Sequence, residues 1–346
     1  MKILDFSRLL PAPLATQMLA ELGAEVWKVE RPQSLDPTRF YAPRWDEESQ
    51  LFHLLNKDKT IVYADFTSET EREILRPYIE QADILIEQFR PNVMAVWGLD
   101  YAKIRLINPN IIYISVTGFG QVGDWAAEAG HDLNFLALSG LLDLIRDENG
   151  KPVIPDFQIG DVAGGAWPVV VAAQAAYIAR QKTGEGRYID IAMSAALPPL
   201  MTLTLAQILG GEKQNQRNSG EKSMLSGGLV NYNIYQCEDG RWVALAALEL
   251  KFWRNFCLAA EREDWLREDL TALSIFKFAK SELEQFFARQ PQSYWAAWAK
   301  AKDICLTPVV ELSDWPQTAI VTENEILQTD ENNRKSLRFL PFWREC

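Results

Sequence analysis

The N-terminal half of the chain alternates short β-rich runs with amphipathic stretches, and no other feature limits its fold as strongly. Lys2–Phe6, Glu25–Glu30, Thr60–Phe66, Asp83–Phe89 and Ile111–Val116 read as strands. Helical patterns fall between them at Pro13–Leu22, Ser68–Gln81 and near Tyr101–Ile107. Repeated strand–helix–strand units of this kind predict a parallel sheet covered by helices, because each crossover must bury its apolar face against the sheet.

Further along, Asp161 opens the apolar run DVAGGAWPVVVAAQAAYIARQ, which reads as a long buried helix with Asp161 as its N-cap and Gly184 beyond its end. Pro168 is expected to bend its first turns. The stretch Gly210–Gly228 is polar and charged and suits a connection between domains. After it, Val230–Gln236 and Arg241–Ala247 flank Glu238-Asp239-Gly240 and predict a β-hairpin. A chain of 346 residues favours one large and one smaller domain. The expected division is a large domain over 1–196 and 312–346, a linker over 197–225 and a small α+β domain over 226–311.

Composition narrows the function. With 48% hydrophobic and 24% charged residues the chain belongs among globular proteins and not among disordered or fibrous ones. A net charge of −12 argues against a nucleic-acid partner, which would need a broad cationic surface. An anionic ligand would instead need a local basic set. The four cysteines are widely spaced, so neither a zinc site nor a disulfide framework is predicted and a reducing cytoplasm fits. The apolar run around Trp167–Ala179 reads as too short for a bilayer, and no membrane association is expected. Only two histidines, His53 and His131, are available for acid–base work.

Gly118-Phe119-Gly120-Gln121-Val122-Gly123 matches a dinucleotide-binding fingerprint, but its context fails. No long apolar helix follows, and the first strand–helix turn, Ser7–Pro13, contains no glycine. Three other residues carry more chemistry. His131 lies at the polar start of Gly130–Gly140, Asp161 opens the long helix, and Glu249 follows a strand in AALELKFW. Each has an ordinary structural explanation when taken alone: a hydrogen-bonding core histidine, a helix cap, a solvated turn carboxylate.

Together, however, the three neighbourhoods resemble one family across almost the whole chain. The segments are LAELGAEVWKVERP, DPTRF, ADILIEQFRPNVMAVWGL, NPNIIYISVTGFGQVGD, GHDLNFLALSGLL, IGDVAGGAWPVVVAAQAAYIARQKTGEGRYIDIAM, LSGGLVNYNIYQCEDGRWVALAALELKFW and CLTPVVEL. In this order they resemble the family III CoA-transferases (CaiB/BaiF), and in particular their α-methylacyl-CoA racemase branch. The resemblance implies an α/β fold with a Rossmann-like large domain completed by the C-terminal segment, a smaller domain, and two chains interlocked as a homodimer. It implies an acyl-CoA thioester as substrate, with coenzyme A entering as part of it and no permanently bound cofactor or metal. Family contacts to CoA carry over to Arg39, to Ala64, Asp65, Phe66 and Thr67, to Gln88, Phe89 and Arg90, and to Gly130, Asp132 and Asn134. Arg39, Arg90 and Lys28 are the basic residues this assigns to phosphate. Thr67 and Val96 stand where the family often has basic residues.

In the racemase branch the resemblance assigns acid–base roles to His131 and Asp161, and to Glu249 a hydrogen bond to the histidine. Inverting a carbon α to a thioester needs one group to take the proton from one face and another to return it from the opposite face. Backbone N–H groups near Gly164-Gly165 are the candidate donors to the enolate oxygen. In the transferase branch Asp161 is instead a nucleophile that forms an aspartyl mixed anhydride. Racemases commonly carry an asparagine four residues before the aspartate, where this chain has Phe157.

Overall fold

The computed structural model describes residues 1–45, 48–211, 224–266 and 280–343. The chain divides into two compact units, one of Met1–Asp147, Lys151–Lys213 and Ala319–Cys346 and the other of Glu148–Gly150 and Gln214–Thr318. The tail from Ala319 thus belongs with the N-terminal unit.

The first unit is built on six strands, β1 (Lys2–Asp5), β2 (Glu25–Glu30), β3 (Thr60–Tyr63), β4 (Ile84–Glu87), β5 (Ile112–Thr117) and β6 (Arg187–Ala192). All five pairings are parallel and the spatial order is 3-2-1-4-5-6. Successive residues serve opposite faces. Ile3, Ile84 and Ile112 pack beneath α1 (Pro11–Glu21) and the later helix α3 (Trp167–Thr183), while Leu4, Leu85 and Tyr113 pack with Ile79 and Ile104 on the other side. With both faces covered, β4 and β5 are buried along their whole length, which explains their near-continuous apolar sequence.

Three local expectations change. Asp161 does not cap a helix: it lies inside a wide π-helical turn, Gly160–Ala166, that runs into α3. Gly184 does follow the end of α3, with φ +73°. The helix expected over Ser68–Gln81 is broken into Glu69–Arg72, a 3₁₀ turn and Arg76–Gln81, the last with Pro77 in its first turn, where the missing N–H is tolerated. Finally, π turn and α3 together span Gly160–Thr183, long and apolar enough by length and composition to cross a membrane. Here Val169, Val170, Ala173 and Ala176 are buried in the protein core. The expected linker is helical in part, through α-helix Thr202–Leu209, and residues 212–223 of it lie outside the described residues.

In the second unit, β7 (Tyr232–Gln236), β8 (Trp242–Ala246) and β9 (Leu306–Pro308) form an antiparallel sheet with β8 in the middle. The β7–β8 hairpin turns through Gly240 at φ +77°, a conformation that glycine adopts without strain. Trp253, Phe256, Trp265, Phe286, Phe287 and Trp295 form its aromatic core.

Candidate active site

In a sheet of order 3-2-1-4-5-6 the chain leaves β1 toward one edge and β4 toward the other, which opens a crevice beyond their carboxyl ends. The loops after β1 and β4 line two clefts there, and Arg8, Gln88, Phe89 and Arg90 belong to both. The larger, about 420 Å³, adds Phe66, Trp97, Arg31, Glu30 and Asp36. The smaller, about 300 Å³, adds Thr117, Gly118, Gly130, His131 and Asp161.

Elements of the first unit fix the reactive end. His131 is the N-cap residue of α2 (Asp132–Ser139), its N–H donating to Asn134 Oδ1 at 3.1 Å. Asp132, one residue on, accepts the Asp161 N–H at 2.8 Å and so ties the start of α2 to the π turn. That contact explains why Asp161 is not a cap: its own N–H is capped by a neighbouring helix start, and its carboxyl lines the cleft instead. Burial, and after it the Asp132 carboxylate, push the Asp161 carboxyl up to about 7. His131 and Asp161 therefore share one cleft, with His131 exposed and Asp161 half-buried.

Glycines permit this crowding. A Cβ on Gly118 would stand 2.2 Å from the Phe135 ring, and one on Gly164 would stand 2.5 Å from the Met193 carbonyl oxygen. Gly164 and Gly165 are buried, pack closely against Met193 and Pro11, and are not among the residues that line the clefts. The Gly118–Gly123 segment is a loop after β5, and the next helix begins only at Asp132, which is incompatible with a dinucleotide fingerprint.

The expected CoA contacts separate into two groups. Phe66, Gln88, Phe89, Arg90 and Gly130 line the clefts. Phe66, Phe89 and Trp97 form an aromatic cluster, with Phe89 edge-on to Trp97 at 4.9 Å between centroids. Gln88 Oε1 accepts from Ala12 N–H at the start of α1, and buried Glu87 accepts the Phe89 N–H at 2.8 Å, so the β4 loop is held from both sides.

Arg39, Ala64, Asp65, Thr67, Asp132 and Asn134 are not among the lining residues. Arg39 makes a bidentate pair with Glu30 at 2.9 and 3.1 Å and lies over the Phe52 ring. Asp65 accepts from both the hydroxyl and the N–H of Thr67, which holds its carboxyl below the usual range. Lys28 is fully buried, donating to the Ser7 carbonyl at 2.7 Å and paired with Asp36 at 3.1 Å; it is structural and not a phosphate ligand. Val96 and Phe157 are exposed.

Glu249 belongs to the second unit, where it is the exposed N-cap residue of α4 (Leu250–Ala259) and its carbonyl accepts from Phe252 and Trp253. Among the described residues no three His, Cys, Asp or Glu side chains are grouped to hold a metal ion. Sequence reasoning missed Arg8, Arg31 and Trp97. Arg8 had a usable signal: it sits in the turn after the first strand of a parallel sheet, where such sheets place ligands.

This arrangement, a two-lobed crevice with an aromatic lobe and an acid–base lobe, defines an α/β enzyme site for an extended substrate. The CoA-transferase family III model matches residues 1–345, and the chain belongs to that family. A CaiB/BaiF family protein from Brucella suis superposes with a TM-score of 0.83 at 26% identity, covering 98% of this chain and 90% of that one. The chain is 34% identical over 252 residues to human succinyl-CoA:glutarate CoA-transferase, covering 72% of this chain but 56% of that protein. It is 28% identical over 315 residues to human alpha-methylacyl-CoA racemase, covering 90% and 77% of the two chains. The match to succinate–glutarate CoA-transferase of Agrobacterium fabrum, at 35% identity, spans half of that protein's length.

Proposed function

We propose that the protein is an acyl-CoA racemase that inverts C2 of a 2-methyl-branched acyl-CoA by two-base proton transfer. The observation that carries this reading is the pairing in one cleft of His131 with an Asp161 whose carboxyl is pushed up to about 7. An aspartate held near neutrality exists in both protonation states, which suits a group that must donate in one direction and accept in the other. His131 removes the C2 proton from one face and becomes imidazolium. The electron pair moves into the thioester carbonyl, and protonated Asp161 delivers its proton to C2 from the other face. The enzyme is left with its two protonation states exchanged, ready for the opposite enantiomer or for reset through solvent.

The second reading is CoA transfer, favoured by the CoA-transferases named above. There the ionised Asp161 attacks the thioester carbon, CoA thiolate leaves, and a second carboxylate or CoA thiolate resolves the mixed anhydride. Incubation with a 2-methylacyl-CoA in D2O separates the two. A racemase exchanges the C2 hydrogen without an acceptor acid and loses that exchange in His131→Ala. Acyl transfer to a second acid with no C2 exchange refutes the racemase reading.

The proposal includes a homodimeric cytoplasmic enzyme with no permanent cofactor and no nucleic-acid or membrane partner. Exposed Trp167, Val171 and Ile178 on α3, with Leu203 and Leu209, support a second copy as the cover. Light scattering of the purified protein tests the dimer.

A further inference from the structure

Among the described residues, every basic side chain around the larger lobe is committed except two. Arg39 is taken by Glu30, Lys28 by Asp36 and Ser7, and Arg31 stands 3.5 Å from Asp65. Arg8 and Arg90 are exposed and line both clefts, and neither has a carboxylate at ion-pair distance among the described residues. The two carboxylates that line the larger cleft, Glu30 and Asp36, are paired with Arg39 and Lys28, while Glu128 and Asp161 line the smaller one. On the side of the larger lobe the two free guanidiniums therefore set the local field.

The loop that carries Arg8 is held under strain. Leu9 has φ +68°, a left-handed conformation that is costly for a leucine. Buried charges over-determine it: Asp36 accepts from Leu9 N–H, Lys28 donates to the Ser7 carbonyl, and Asp5 accepts from the Ser7 N–H. Asp5 is held in turn by buried Lys59 at 3.3 Å, and Lys59 also donates to the Pro13 carbonyl. Strain enforced this way at a cleft, with an unpaired cation beside it, is what a pre-organised anion contact needs.

We propose that Arg8 is a phosphate-binding residue and that, with Arg90, it takes the diphosphate of the CoA moiety at the junction of the lobes. The nucleotide then lies against Phe66, Phe89 and Trp97, and the thioester arm runs toward His131 and Asp161. The assignment rests on the CoA-thioester reading and does not depend on the choice between racemase and transferase.

The test is calorimetric titration of the intact protein with CoA, beside kinetics on a 2-methylacyl-CoA and the matching acyl-pantetheine, which lacks all phosphates. Arg8→Gln should weaken CoA binding and raise KM for the CoA ester by roughly tenfold or more, with kcat within about twofold. Its loss of kcat/KM on the pantetheine ester should be several-fold smaller than on the CoA ester, and Arg8→Lys should recover part of the loss. Unchanged CoA affinity in Arg8→Gln overturns the assignment, as does an equal loss on both esters, which would place Arg8 at the acyl or acceptor carboxylate end. Failure of the wild-type protein to bind CoA overturns the broader reading and the assignment with it.

Discussion

Asp161 offers a prediction that needs no substrate. Its carboxyl is pushed from 3.8 up to about 7 in the native state by burial first and the Asp132 carboxylate second. The sign follows from linkage. Between these values the unfolded chain has released the proton while the native state still holds it, so native stability falls as pH rises from about 4 to about 7. At about 1.36 kcal/mol per pH unit the full gap is worth about 4 kcal/mol. Asp161 lines an open cleft, and solvent screening brings the expected difference to about 2 kcal/mol. Asp161→Asn keeps the shape of the side chain and cannot ionise. Urea unfolding of both proteins at pH 5 and pH 8.5 samples the part of that gap above pH 5 and should show the variant gaining about 1 kcal/mol over wild type on going to the higher pH, while losing activity. A pH-independent difference between the two proteins would refute the claim that the native site holds this carboxyl protonated.

Two further substitutions probe the same corner. Asp132→Asn retains an acceptor for the Asp161 N–H but removes a neighbouring like charge, worth about 1–2 kcal/mol with solvent screening. The limb of the kcat/KM–pH profile set by Asp161 should move down by about one pH unit, and an unmoved limb excludes Asp132 as a cause. Gly164→Ala forces a Cβ to 2.5 Å from the Met193 carbonyl oxygen, and backbone must shift to admit it. A loss of about 2 kcal/mol or more in urea unfolding is expected, and a variant as stable as wild type would show that the π turn relaxes freely.

Period-2 alternation between short helical patterns was enough to read the parallel sheet, because both link types bury their apolar residues with fixed spacing. All five expected strands form, three of them, Lys2–Phe6, Glu25–Glu30 and Ile111–Val116, within one residue of the observed ends, and the hairpin around Gly240 forms in register, with Trp242 opposite Gln236. The role of Asp161 was less legible. An aspartate before an apolar run has the local signature of a cap, and only the arrival of Asp132, 29 residues earlier in the chain, reassigns it. Nothing in local sequence records that the first turn will widen to a π helix and leave its carboxyl facing a cleft. The single continuous helix expected over Ser68–Gln81 shows the opposite error, since Pro77 was visible and its effect on the first turn of a new helix is local.

Phosphate-binding cations illustrate the same division more sharply. Lys28, Arg39 and Arg90 are alike in sequence as basic residues near strand ends, but a cation binds a ligand only if no carboxylate reaches it first. Lys28 and Glu30 share the face of β2 that Val26 buries, by simple alternation, so both were bound to be drawn under the β1 loop. Asp36 and Arg39, from the turn after β2, then complete the two pairs. These pairs neutralise the two carboxylates that line the larger cleft. An acidic chain of net charge −12 can thereby present a cationic neck of only two side chains, Arg8 and Arg90. The field felt by an anionic substrate depends on which charges the fold leaves unpaired at the switch point, and total charge predicts it poorly.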